Sequence, residues 1–248
     1  GLKINRVAGH GVFITGDEFS IRKAMKTCCT YAIGSKVIEE TYDYRMNIEE
    51  EELWINNFGK DNFEKSIEVI HAVEEKFDVA YTDYSFRMLA EYLSIQLFRT
   101  RMGNVITEDI YIPETFNRNE SLVNMVVEYF EQLGKVNLNE YEKQYIDILF
   151  ASAAVQTVEN ANKVHMISEF EEKNKEICEE MLEYLSEILN INLLDNELLR
   201  TSLEGFIPAS IVRTAYGIEV KNPFLSDIRE MYSGIFATCF TLGKFYEE

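Results

Sequence analysis

Residues 89–106, LAEYLSIQLFRTRMGNVI, lie without gaps on residues 203–220, LEGFIPASIVRTAYGIEV, at a constant offset of 114 residues. Leu89 meets Leu203, Tyr92 meets Phe206, Leu93 meets Ile207 and Leu97 meets Ile211. Arg99–Thr100 meets Arg213–Thr214, Gly103 meets Gly217, and Ile106 meets Val220. The shared positions are mostly those that face a core in a helical period, plus one arginine and one helix-ending glycine. Amphipathic helices also resemble one another by chance. A true duplication predicts two helical units of roughly 110 residues, an ordinary domain size. We therefore expect an all-α chain of two tandem helical bundles, at 17–163 and 164–248, behind a small hairpin in 1–16. The second bundle is expected to lack its last helix.

The rest of the chain agrees with that class. Leu2–Val7 and Val12–Thr15 flank Ala8–Gly9–His10–Gly11 and read as a hairpin with a glycine turn. Asp17 then caps a helix. Ile67, Ile70, Val73 and Phe77 mark one helical face, and Thr82 or Asp83 caps the next helix, ending near Gly103. Asn139 caps the helix that carries Tyr145, Ile148 and Leu149. Further helices are expected over about 165–190, 196–215 and 224–246, with Asn222–Pro223 as the signal between the last two. The start at Gly1, directly before a strand-like run, leads us to expect a further region upstream.

Charge narrows the partners. The 248 residues hold 24 Lys and Arg against 43 Asp and Glu, a formal net charge of −19. Such a surface repels phosphate backbones, so this region is not expected to hold DNA or RNA itself. Cys28, Cys29, Cys178 and Cys239 form neither a zinc pattern nor a disulfide framework, which points to a reducing, cytoplasmic setting. Cys28–Cys29 reads as helix packing, with a vicinal-thiol sensor as the other reading. No apolar run approaches the roughly 18 residues of a membrane span.

Chemistry is sparse. His10, His71 and His165 are the only histidines. Glu68-x-x-His71 has di-iron spacing but lacks its second copy, so no metal is expected and His71 reads as a half-buried helix residue. No phosphate-cradling glycine loop, nucleophile elbow or zinc-protease motif is present. The run Glu49–Glu52 reads as a solvated face. No catalytic residue and no cofactor are assigned, and the chain is not expected to be an enzyme.

Both repeat cores, together with Asn222–Pro223–Phe224–Leu225–Ser226–Asp227–Ile228–Arg229–Glu230–Met231–Tyr232, resemble the PTS regulation domain. This domain occurs in pairs in bacterial antiterminators and activators of the BglG and Mga types. Its pattern runs Leu-x-x-His-Leu, an Arg seven residues after the His, then Gly-Ile-x-Ile-x-Asn-Pro. The second copy follows it from Leu203 to Tyr232, and the first as far as Gly103. Glu142-x-x-Tyr145-Ile146-x-x-Leu149 is similar to a second family element, Glu-x-x-Phe-Ile-x-x-His. The opening LKINRVAGHGVFITGDEFSIR looks like the segment that follows the helix-turn-helix part of the activators. In the family, sugar-phosphotransferase carriers phosphorylate the motif histidines and so shift dimer packing. Here those positions hold Tyr92, Leu149 and Phe206, and a fourth would fall beyond Glu248. None supplies an imidazole. Such departures are more typical of the Mga-like regulators.

The resemblance implies the regulatory and dimerisation region of a transcription regulator, with DNA contacted only through a missing N-terminal domain. Arg99, Arg213, Asn222 and Pro223 would be structural or interface residues, and Tyr92 and Phe206 core or interface plugs. Phosphotransferase or other signalling proteins are the expected partners. Phe224, Ile228, Tyr232, Phe236 and Phe240 form an apolar face that suggests a homodimer. The competing reading is a helical ligand- or protein-binding module unrelated to transcription.

Overall fold

A computed structural model of the chain describes residues 2–7, 11–32, 45–46, 48–112, 119–156, 170–219 and 225–247. Strands β1 (Lys3–Val7) and β2 (Gly11–Thr15) pair antiparallel, Lys3 opposite Thr15 and Val7 opposite Gly11. Every other regular element among the described residues is helical, so the protein is all-α behind a small hairpin. The helices are α1 (Glu18–Ala32), α2 (Ile48–Phe58), α3 (Lys60–Phe77), α4 (Asp83–Arg101), α5 (Glu120–Gln132) and α6 (Glu140–Ala151). They continue as α7 (Phe170–Leu189), α8 (Glu197–Tyr216), α9 (Leu225–Met231) and α10 (Ser233–Glu247).

The starts are written in side chains that satisfy orphan N–H groups. Asp17 Oδ1 accepts the Ser20 N–H at 2.7 Å, opening α1. Thr82 takes the Ser85 N–H at 3.3 Å for α4, and Asn119 takes that of Leu122 at 3.0 Å for α5. Asn139 takes that of Glu142 at 2.9 Å for α6, and Asn196 that of Leu199 at 3.0 Å for α8. Gly59, at φ 87°, separates α2 from α3 without a side-chain cap.

Helix α4 is the hub. It packs against α1, α2, α3 and α6. Leu89, Tyr92, Leu93, Ile95 and Leu97 are all buried, so its apolar surface wraps the helix rather than forming one stripe. Each of these side chains contributes about 1.5–3 kcal/mol through burial. Ser94, also buried, donates to the Ala90 carbonyl at 2.6 Å, so its hydroxyl costs little there. Helix α8 rests on α6 and α7, and Val212 and Ile218 join the same apolar core as Leu89 and Leu149. The C-terminal pair differs: Leu225, Met231, Tyr232, Ile235 and Phe240 are exposed.

The basic residues sit deeper than expected. Arg22, Lys26 and Arg45 are buried and paired with Glu142, Glu91 and Glu74 respectively. The acidic run before α3 is also not a uniform solvated face, because Glu51 is 4 % exposed. Glu52 is exposed, while Glu50 lies 3.8 Å from Arg87.

Candidate functional site

The repeated motif forms the same turn twice. Gly103 and Gly217 both have positive φ, 79° and 60°, which a glycine adopts without a Cβ clash. After α4, Gly103 N donates to Thr100 O at 2.9 Å and Asn104 N to Arg99 O at 3.0 Å. After α8, Gly217 N donates to Thr214 O at 3.3 Å and Ile218 N to Arg213 O at 2.8 Å. Both are Schellman ends, in which one glycine and the residue after it close the last carbonyls of the helix. Ile106 and Ile218 then turn back into the core.

Around the first turn the polar groups are locked. Arg99 gives two hydrogen bonds to Glu18, at 2.9 and 2.7 Å. Glu18 also takes Arg22 Nε at 3.0 Å, and Arg22 meets Glu142 through both Nη atoms at 2.7 Å. Glu142 further accepts Gln96 Nε2 and the Ile106 N–H, each at 2.8 Å. Burial opposes the Arg22 charge, yet the adjoining Glu142 carboxylate more than offsets it and holds the guanidinium above its ordinary range. This closed network ties α1, α4, α6 and the loop after α4 to one another. Tyr92 and Leu149, on the same helices α4 and α6, lie in the apolar core, 1 % and 0 % exposed. Burial pushes the Tyr92 phenol well above its usual range, against the backbone N–H of Glu219, which bonds to it.

The second turn is open. Phe206 is 52 % exposed, so it is not a core residue, whereas its neighbour Ile207 is buried. Arg213 lies over the Phe206 ring at 5.0 Å and donates to Ser152 O at 3.0 Å and Ser210 Oγ at 2.7 Å. Its guanidinium meets no carboxylate among the described residues, and burial alone pulls it below its usual range. Phe206, Arg213 and Ile218 face Thr82, Tyr84, Ala154 and Gln156 across a cleft of about 710 Å³. Thr82 caps α4 there, and Asp83 lies on the lining.

Residues 179–248 match the family model described as PRD domain. The matched segment takes in most of α7 and all of α8, including Phe206 and Arg213. No curated protein matches the chain. The PRD domain is a regulatory domain, not a catalytic one. Asn222 and Pro223, the motif residues between α8 and α9, lie outside the described residues, as do His10 and His165. His71 is exposed, with Nδ1 3.3 Å from Glu74 and its ring 5.3 Å from that of Phe86. Among the described residues, no group of three His, Cys, Asp or Glu is placed to hold a metal, and no helix is long and apolar enough to cross a membrane.

Of the motif positions, α4 and α6 bring Tyr92 and Leu149 into one core, and Phe206 stays apart from it beside Arg213. Sequence reading gave no role to Arg22, Glu18 or Gln96. A partial signal existed in Asn139-x-x-Glu142, the spacing of a capping box. There the glutamate would reach back to its own helix start; here it points inward to Arg22 instead. The cleft residues Thr82, Tyr84 and Gln156 come from segments that no local pattern joins to α8.

Proposed function

We propose that this chain is the regulatory and dimerisation region of a bacterial transcription regulator of the PTS-regulation-domain kind, with the phosphorylatable histidines replaced by Tyr92, Leu149 and Phe206. The PRD-domain match over 179–248 carries this reading. The equivalent Schellman ends after Arg99 and Arg213 support extending it to a first, more diverged copy. In this reading the region works in the cytoplasm and receives a signal, from phosphotransferase or other signalling proteins. It passes that signal to DNA through a separate N-terminal domain, since a net charge of −19 disfavours direct contact with phosphates.

Two copies would associate through α9 and α10, where Met231, Tyr232, Ile235 and Phe240 are exposed. Sedimentation of the purified chain at micromolar concentration should show a dimer; a clean monomer removes this part of the reading. Tight binding of duplex DNA at physiological salt would overturn the division of roles. Leu149 and Phe206 have no nucleophile, and the Tyr92 phenol is buried and kept neutral. Incubation with the general phosphotransferase proteins and phosphoenolpyruvate should therefore leave no acid-labile phosphate by intact mass. Near-stoichiometric labelling of His10, His71 or His165 would mean that the motif positions have been misplaced.

A further inference from the structure

We propose that the cleft beside Phe206 and Arg213 binds a small organic monoanion, a carboxylate on an apolar body. The inference stands on the cleft itself and does not depend on the regulator reading.

Four arginine or lysine side chains elsewhere in the fold are each paired with a carboxylate. Arg22 meets Glu142, Lys26 meets Glu91, Arg45 meets Glu74 and Arg99 meets Glu18. Arg213 differs from these four. It is partly withdrawn from water, and in a chain of net charge −19 no carboxylate of the described residues pairs with it. A guanidinium has five N–H donors. Among the described residues those of Arg213 have two partners, Ser152 O and Ser210 Oγ, which fix the group in place and engage only part of its donor set. A desolvated cation without a counter-charge is unfavourable, and an anion arriving from solution relieves it.

The surroundings set the class of anion. The Phe206 ring is held under the guanidinium at 5.0 Å yet is still half open to solvent. Ile218 and Ala154 line the same space, so an apolar body has a surface to lie on. The volume of about 710 Å³ is that of a small-molecule site. Among the described lining residues Arg213 is the one cation and Asp83 the one anion. A second negative charge on the ligand would add to the repulsion from Asp83 with no further cation among the described lining residues to offset it. That favours a carboxylate over a phosphate ester.

Calorimetry on the whole chain with 2-naphthoate, and with 2-naphthamide as its neutral counterpart, tests the site. Naphthoate should bind saturably at one site, about ten-fold or more tighter than the amide, the scale of a charge-assisted bond. Arg213→Gln should abolish that preference, and 2-naphthyl phosphate should bind no tighter than the carboxylate. Phe206→Ala, at a half-exposed position that should leave folding intact, should weaken naphthoate several-fold. If Arg213→Gln does not fold, Phe206→Ala decides. No saturable binding, equal affinity for amide and carboxylate, or unchanged naphthoate affinity in a folded variant at either residue overturns the proposal.

Discussion

Arg99 and Arg213 close equivalent helix ends, each accepting a hydrogen bond at its carbonyl from the residue after the turn glycine, 3.0 Å in one case and 2.8 Å in the other. Their side chains meet different fates. Arg99 is held bidentate by Glu18, within a network that Arg22 and Glu142 complete. Arg213 is held by a carbonyl and a hydroxyl, beside an open cleft. The same contrast runs through the position seven residues earlier, where Tyr92 is buried and Phe206 is half exposed. The backbone geometry is the same at both places, while the side-chain environment is closed at one and open at the other. A closed network stabilises; an open cation and ring are available to something else.

Four sets of variants test that contrast. The largest effect should come from Glu142→Ala, which strips the buried Arg22 of its partner and should cost about 3–5 kcal/mol in a urea titration. A loss below about 1 kcal/mol would mean that the network is not what closes the first site. Nearly as large, Tyr92→Ala should cost about 3–5 kcal/mol through the cavity it leaves. Phe206→Ala should stay within about 0.5 kcal/mol, as for surface changes generally. Equal losses at the two positions would erase the distinction drawn here.

Where the two helix ends are alike, the variants should be alike. Gly103→Ala and Gly217→Ala should each destabilise by about 1 kcal/mol, because both place a Cβ at positive φ. Gly217→Ala should be slightly worse by thermal melting. Its new Cβ would lie 3.3 Å from Lys23 Nζ, which caps the Tyr216 carbonyl.

Effects of similar size are expected at the helix starts. Asp17→Ala and Asn196→Ala should each cost about 1 kcal/mol at neutral pH. Burial raises the Asp17 carboxyl, but hydrogen bonds from the Ser20 N–H, the Ser20 hydroxyl and its own backbone N–H together outweigh it and leave the group below its ordinary value of 3.8. Its contribution is therefore complete above that value and fades as the pH falls through the lower, folded one. The Asn196 cap has no charge to lose, so its cost should not change over the same range. Denaturant midpoints at pH 7 and pH 3 check both.

What the sequence made legible follows the reach of each signal. Asp17, Thr82 and Asn139 act within three residues of themselves, and all three cap as their chemistry predicts. The hairpin and the glycine-ended helices were equally local. The partnership of Arg22 with Glu142 spans 120 residues, and no periodicity reports it. Phe206 shows the other limit: an apolar residue at a helical spacing marks a stripe, but which part of that stripe is covered depends on elements elsewhere in the chain. Glu51 illustrates the converse, an acidic residue in a charged run that tertiary packing has taken inside.

The sequestration of Arg22, Lys26 and Arg45 has a consequence for encounters between copies. With those cations withdrawn into internal pairs, they lend little to the outer field, and two approaching molecules present like charge across a Debye length of about 10 Å at 0.1 M salt. Ionic strength then works in favour of any self-association: added salt shortens the range of repulsion and leaves the apolar side chains exposed on α10 unaffected. Any pairing of this chain with itself should therefore tighten, not loosen, as salt rises, opposite to the behaviour of a contact built on complementary charge.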